Sequence, residues 1–467
     1  MTLRIARKEA TEMLRDGRFR WAVGIVFLLL VGALTAGWSH YADAEAKRIA
    51  AQEAERNVWL GQGEKNQHSA THFGVHAFKP TMPLTAVDPG VLPYTGVSMF
   101  MEAHSVKDAT FRPADDASAI QRLGTLTAAS TLQLLVSLLI ILLAFSAFAG
   151  ERDAGTLRQV LSLGVPRRAL VLGKALGTAS PIVLLMLPAA VIGVTALALL
   201  GGPDAPLSDL SRAGLLVGVY TMYFALVLML ALLVSAWAPS SRTALIVLLG
   251  FWLTTSFAVP RVAIDGTDGL HPTPTPIAFQ DSVSTDFDAL PAWRDRVREI
   301  EERLMERYSV DTPDAIPASV EGYALFEAER DETDLRRARV AELGRQYDTQ
   351  TRTAQALSVF SPLLAVQLVS MGLAGSDHAH HRHFTDAAET YRYDYVQALN
   401  QDMIDQNADW SFTVGLELWE EIPAFSYEPP TAGWAARQYG LSMAVLGLWI
   451  LALLLALPVA MRRMRAV

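Results

Sequence analysis

His68, His72 and His76 recur at intervals of four, the spacing that places side chains on one face of a continuous helix, and His104 follows with Glu102 close by. Neutral imidazoles on one face can bind zinc or copper. Gly74 weakens a helix across this stretch and no H-E-x-x-H pattern supplies a carboxylate, so hydrogen-bonded structural histidines are the favoured reading and a metal site the alternative. A second group, His378, His380, His381 and His383, carries the same two readings. The chain has no cysteine, which excludes thiolate metal sites, cysteine nucleophiles and disulfides.

Other chemistry finds little support. Gly173-Lys174 is followed by Ala175 rather than Ser or Thr, and Arg168 stands where the first glycine of a P-loop belongs, so the chain binds no ATP by that mechanism. A task driven by ATP therefore needs a separate ATPase. No Gly-x-Ser-x-Gly elbow occurs, and the pairs Glu301-Glu302 and Glu420-Glu421 read as solvated helix faces. No catalytic residue is expected.

Composition indicates the scaffold. The 467 residues are 51% hydrophobic and 19% charged, more apolar than one soluble core requires. Apolar runs able to cross roughly 30 Å of hydrocarbon fall at 21–41, 131–149, 175–200, 213–237, 244–259 and 434–460. The expected fold class is an α-helical polytopic membrane protein with six transmembrane helices. Pro181 and Pro188 in the third run are tolerated if neighbouring helices satisfy the freed carbonyls. Lys and Arg collect before the first span, between the second and third, at Arg242, and in the tail 461–467 with Arg462, Arg463 and Arg465. That pattern puts both termini inside. Residues 1–20 read as an interfacial elbow helix, with Leu3, Ile5, Ala10 and Leu14 opposite Arg4, Lys8, Glu9 and Glu12. A signal peptide cleaved near Ala42-Asp43-Ala44 fits less well, because the leading segment carries acidic residues and more spans follow.

Residues 42–129 and 260–433 then lie outside and are expected to pack together as one mainly helical domain with some β structure. A polar helix, Asp43 to Gln67, can continue the first span outward; short strands and loops follow between Val75 and Glu102. Helices are expected over Pro291–Tyr308, Glu321–Leu357 and Thr385–Gln406. From Arg261 to Thr431 there are 31 acidic residues against 14 arginines and no lysine, a balance that argues against nucleic acid as a partner.

Residues 150–168, between the second and third spans, read as a short cytoplasmic helix with Leu157, Val160, Leu161 and Leu163 as its apolar stripe, a turn at Gly155 and a stop at Gly164-Val165-Pro166. On these residues alone, a docking element and a plain topology-setting loop are equally compatible. The run Glu151-Arg152-x-x-Gly155-Thr156-Leu157, followed by Arg167-Arg168 and Gly173-Lys174, resembles the coupling-helix region of ABC-2-type exporter permeases, and the order of elbow, six spans and outer element is similar to theirs. Asn66 to Gly74, Phe78-Lys79-Pro80, Asp88-Pro89-Gly90 and Ser361 to Gly375 resemble a subfamily whose large extracytoplasmic domain has no assigned role.

The resemblance implies a non-catalytic, multi-pass permease subunit in the bacterial inner membrane, paired with a second permease, identical or related, and driven by two cytoplasmic ABC ATPases that bind Mg-ATP. It implies Glu151, Arg152, Gly155, Thr156, Leu157, Arg158 and Leu161 as the ATPase contact, and the second and fifth spans as the pathway wall. The chain itself would hold no cofactor, unless zinc or copper sits at His68, His72, His76 and His104. The size of the outer domain leaves a second reading, a mechanotransmitting or scaffold subunit acting on an extracytoplasmic partner, and the histidines a third, a membrane-anchored metalloenzyme.

Overall fold

The structure is a computed structural model and describes residues 1–106, 109–115, 126–200 and 207–463. The elbow α1, Thr2–Arg15, ends where Asp16 turns extended, with φ −67° and ψ 118°. Helix α2 then runs without interruption over Gly17–Leu60. Gly17 to Arg20 therefore belong to the first span rather than to the elbow, and the span and the polar helix beyond it are one element. At 1.5 Å per residue its 44 residues extend roughly 66 Å, about twice the hydrocarbon thickness. Near its middle Gly37 meets the turn Pro83–Ala86 so closely that a Cβ would lie 2.0 Å from the Ala86 carbonyl oxygen.

Short helix α3, Gln67–Phe73, leads into an antiparallel three-stranded sheet of β1 Val75–Phe78, β2 Ser98–Glu102 and β3 Ser105–Val106, with Val75 opposite Met101 and Glu102 opposite Ser105. The second span starts at Ala128 under a Thr127–Ser130 capping box, passes a π turn at Thr131–Val136 and continues as α4, Ser137–Ala144. Regular helix pauses after Ala144, and the span as a whole continues past the expected Ala149 to Asp153. Helices α5, Ala149–Asp153, and α6, Thr156–Ser162, follow. The third span, α7, starts at Arg167 rather than Ala175 and reaches Leu200; the fourth, α8, is Leu207–Trp237.

The fifth span also overruns its expected end at Val259. Helix α9, Ser241–Leu253, passes a π turn, Thr254–Ala258, and continues as α10, Val259–Leu270. Pro260 sits inside this continuous helix just past the bulge, where it has no N–H to give the preceding turn, and Ser361 Oγ donates to the Thr255 carbonyl there at 2.6 Å. The outer helices are α11 Pro276–Asp288, α12 Trp293–Tyr308, α13 Val320–Leu357, α14 Pro362–Ala374, α15 His378–Asp405 and α16 Leu416–Glu421. The sixth span is two helices, α17 Ala432–Gln438 and α18 Gly440–Arg463, jointed at Tyr439. Among the described residues, six helical stretches suit a membrane crossing by length and apolar composition. Arg465, one of the charges used for orientation, lies outside the described residues.

The two outer inserts share a core. Trp59, Ala70, Met101, Phe384, Tyr395 and Trp419 cluster together, Trp59 Nε1 donates to the Trp419 carbonyl at 2.9 Å, and Lys65 pairs with Val414 in a β-bridge. Helices α11 and α14 were not expected from the sequence, and α14 is the more consequential of the two. Its 13 residues are too short to span, yet Leu363, Val366, Val369 and Leu373 sit in the membrane bundle's core with residues of α8 and α18. It packs so tightly that a Cβ at Gly372 would lie 2.1 Å from the Tyr439 ring.

Fully buried Arg212, at the outer end of α8, donates to the carbonyls of Gly372 (3.4 Å) and Leu373 (3.1 Å), which close α14, and to Pro430. Its Nη2 also lies 3.2 Å from His380 Nε2; His380 Nδ1 bonds Asp377, whose other oxygen accepts from Tyr439. One polar chain thus joins the fourth span, the outer domain and the joint in the sixth. Replacing Arg212 with methionine keeps the volume but strands several buried carbonyls, so Arg212→Met should cost about 3 kcal/mol. Thermal unfolding in detergent should show a midpoint several degrees lower; an unchanged midpoint would contradict the pinning role.

Candidate functional site

The segment between the second and third spans forms two short helices because one residue turns left-handed. Gly155, φ +70°, ends α5 and starts α6, and a Cβ there would meet nothing within 4 Å, so the requirement is conformational, not steric. Gly164, φ +74°, ends α6 in the same manner, and Pro166 precedes α7.

Three consecutive side chains tie this segment to three different spans. Glu151 accepts from Lys174 Nζ at 2.7 Å, and the same ammonium donates to Glu9 of the elbow at 2.9 Å. Lys174 is 1% exposed and also lies 5.6 Å from the centre of the Phe148 ring. Arg152 donates to the Ala236 carbonyl at the end of α8 (2.8 Å) and to the Ala238 carbonyl just beyond it, where the negative end of the helix dipole adds to the attraction. Asp153 accepts from the Ser241 backbone N–H at 3.0 Å, an orphan donor at the start of α9. Ser235 Oγ accepts from the backbone amides of Phe148 and Ala149 at 2.9 and 3.1 Å, and Arg167 donates to the terminal carbonyls of Met461 and Arg462, each at 2.9 Å.

The elbow reaches Lys174 because two small residues let it. A Cβ at Gly173 would lie 2.6 Å from Ile5, and one at Gly177 would lie 2.5 Å from Glu9. Glycines four apart on one helix face allow this backbone-to-backbone approach.

The expected contact residues therefore divide. Glu151, Arg152 and Leu157 face into the membrane subunit, with Leu157 only 1% exposed; Leu161 is half-buried, and Thr156 Oγ1 returns to the Glu151 carbonyl at 3.2 Å. Of the seven residues expected at the ATPase contact, Glu151, Arg152, Leu157 and Leu161 are thus engaged at least in part within the membrane subunit, and Gly155, Thr156 and Arg158 are exposed. Arg158, Gln159, Ser162 and Leu163 are exposed, and Leu163 is 80% exposed. Sequence reasoning missed Glu9, Asp153, Lys174 and Ser235. A lone lysine at the head of an apolar run, flanked by Gly173 and Gly177, was the available signal.

The outer histidines also divide. Gly74, φ +70°, ends α3, so the interval of four does not carry through to His76. His76 sits on β1 with its ring 3.2 Å from Glu55 and stacked beside Phe78, away from the others. His68 and His72 remain on one face of α3 with their Nε2 atoms 3.1 Å apart, and His104, at the β2–β3 turn with φ 57°, brings its ring centre within 5.4 and 5.5 Å of theirs. His104 Nδ1 lies 3.1 Å from Glu332 of α13. Burial and the neighbouring imidazoles push His68 down to about 3 and lower His72. Burial also opposes charge on His104, but the Glu332 hydrogen bond and the Glu332 and Glu329 charges outweigh it and raise its pKa. In the second group, His380 belongs to the Arg212 chain and His383 Nδ1 bonds the Tyr427 hydroxyl at 3.0 Å.

Against known proteins, the family model described as ABC-2 family transporter protein matches residues 3–463. Comparison with curated proteins finds no match.

Removing Lys174 leaves Glu9 and Glu151 facing each other without their shared cation. Lys174→Met should destabilise the protein by about 3–5 kcal/mol, the range for breaking a buried ion pair. Adding Glu9→Gln and Glu151→Gln should recover much of that loss. Thermal unfolding of the single and triple variants checks both expectations, and a single variant as stable as the parent would refute the first.

Proposed function

The chain belongs to the ABC-2 transporter family and is a permease subunit of an ABC transporter, and from that premise we propose that it couples ATP hydrolysis on a separate cytoplasmic ATPase to export of a substrate across the bacterial inner membrane. The observation that carries this reading is the engagement of Glu151, Arg152 and Asp153 with the third, fourth and fifth spans. An ATPase seated on the exposed row Arg158, Gln159, Ser162 and Leu163 would push one small element whose far side is bonded to three spans and, through Lys174, to the elbow. Coupling of this kind needs firm connection on one side and accessible side chains on the other, and the α5–α6 segment supplies the first from α5 and the second from α6. Two such subunits, identical or related, would each receive one ATPase.

A second reading has its own support. Helix α2 and the α9–α10 stretch carry their spans directly into the outer domain, so motion of the bundle reaches an extracytoplasmic partner without a flexible joint. In that reading the complex works mechanically and carries no solute.

The chain has no cysteine, so labels placed at exposed Glu53 and Asp268 can follow the two extensions. A distance change on trapping the ATPase in its hydrolysis state, together with uptake of solute into inverted vesicles, supports export; the distance change with no solute moved supports the mechanical reading. For the docking surface, Leu163→Asp combined with Arg158→Glu should abolish co-purification of the ATPase. Stability should stay within about 0.5 kcal/mol, because both side chains are exposed. A variant that still retains the ATPase with parental affinity would remove α6 as the docking element.

A further inference from the structure

We propose that His68, His72 and His104 bind a single divalent transition-metal ion, of which zinc is the representative, with Glu332 orienting one ligand and one coordination position left open. The proposal does not rest on what the transporter moves or in which direction.

One ring nitrogen from each of the three histidines lies within 4.8 Å of the others. Two nitrogens on a tetrahedral zinc, each about 2.0–2.1 Å from the ion, stand about 3.3 Å apart; His68 and His72 Nε2 stand 3.1 Å apart. The pair is preset by helical spacing, i and i+4 on α3, and the third ligand arrives on a different element, the turn between β2 and β3. Glu332 occupies Nδ1 of His104. That contact leaves Nε2 as the nitrogen free to ligate, and a carboxylate on the remote nitrogen both fixes the ring and strengthens it as a donor.

The support behind the ligands is rigid. The His104 backbone N–H donates to Glu329, which is 1% exposed and also accepts from Arg392 at 2.6 Å and from Thr333 at 3.0 Å. Arg392 is in turn held by both oxygens of Glu389 at 2.9 Å. His104 is kept in a left-handed conformation that histidine adopts at some cost. All-imidazole donors suit zinc or copper rather than calcium or magnesium, which require oxygen. His72 is exposed, so the remaining position faces solvent and can accept water or an external carboxylate or imidazole. Through Glu332 the ion would also link α3 and the hairpin of the first insert to α13 of the second.

The test uses the full-length protein purified in detergent without a polyhistidine tag, stripped with chelator and titrated with zinc against a chromophoric competitor. One ion per chain is expected. His72→Ala and His104→Ala should each abolish stoichiometric binding, His76→Ala should leave it intact, and Glu332→Gln should weaken it about 10-fold. Zinc should raise the unfolding midpoint of the parent and not of the His72 and His104 variants. Circular dichroism verifies that each variant is folded, and exposed His72 is the safest of them to replace. Failure of the parent to bind near one equivalent would overturn the proposal. So would binding that survives both substitutions, which would place the ion elsewhere and leave His68 and His72 as a simple hydrogen-bonded pair.

Discussion

A single buried ammonium holds the inner end of this molecule together. Lys174 is almost wholly withdrawn from water, so its ammonium group is satisfied by Glu9 and Glu151 in place of solvent, and those carboxylates share it. Because the partners come from the elbow and from the segment after the second span, satisfying one charge ties three elements together, alongside the close packing of Ile5 on Gly173. Arg152 and Asp153 extend the same logic to helix ends, where the unsatisfied carbonyls of α8 and amides of α9 offer fields of opposite sign. The two small residues at 173 and 177 are the steric condition for the whole arrangement.

Much of this architecture was legible because the membrane simplifies the problem. Long apolar runs can only be helices in lipid, and residues 151–157 carried the resemblance to the family whose model matches residues 3–463. The errors lie where local patterns leave the environment open. Hydropathy marks where lipid contact stops, not where a helix stops, so α10 carries the fifth span past its expected end, whereas the polar residues after Asp43 already announced that α2 continues beyond the first span. Helix α14 escaped because a 13-residue apolar run is too short for a span and carries no outward polar face. For the coupling segment, charge type was visible but side-chain direction was not: Glu151 and Arg152 read as surface charges until their partners, distant in sequence, were in place. The histidines show the converse. The interval of four held for His68 and His72 and failed at His76 because Gly74 redirects the chain.

The outer domain is not an appendage. Its core draws Trp59 and Met101 from the first insert and Phe384 and Trp419 from the second, while α14 sinks into the bundle and Arg212 pins its end. Polar groups at this boundary are paired across it: the Asp377–His380–Arg212 chain and the Asp88–Ser370–Tyr220 chain each join outer residues to a span. Displacement of the bundle is therefore not free to leave the outer domain behind.

The uninterrupted α2 gives that statement a direction. Gly37, where the turn at Ala86 presses backbone against backbone, lies close to the midpoint between Gly17 and Leu60. A stiff helix held at that point behaves as a lever with arms of roughly 30 and 35 Å, from 1.5 Å per residue. Tilting it by about 5° moves each end by about 3 Å, in opposite senses. Were the helix to pivot at that contact, its two ends would move in opposite senses, and a side chain at position 37 would force the two backbones apart.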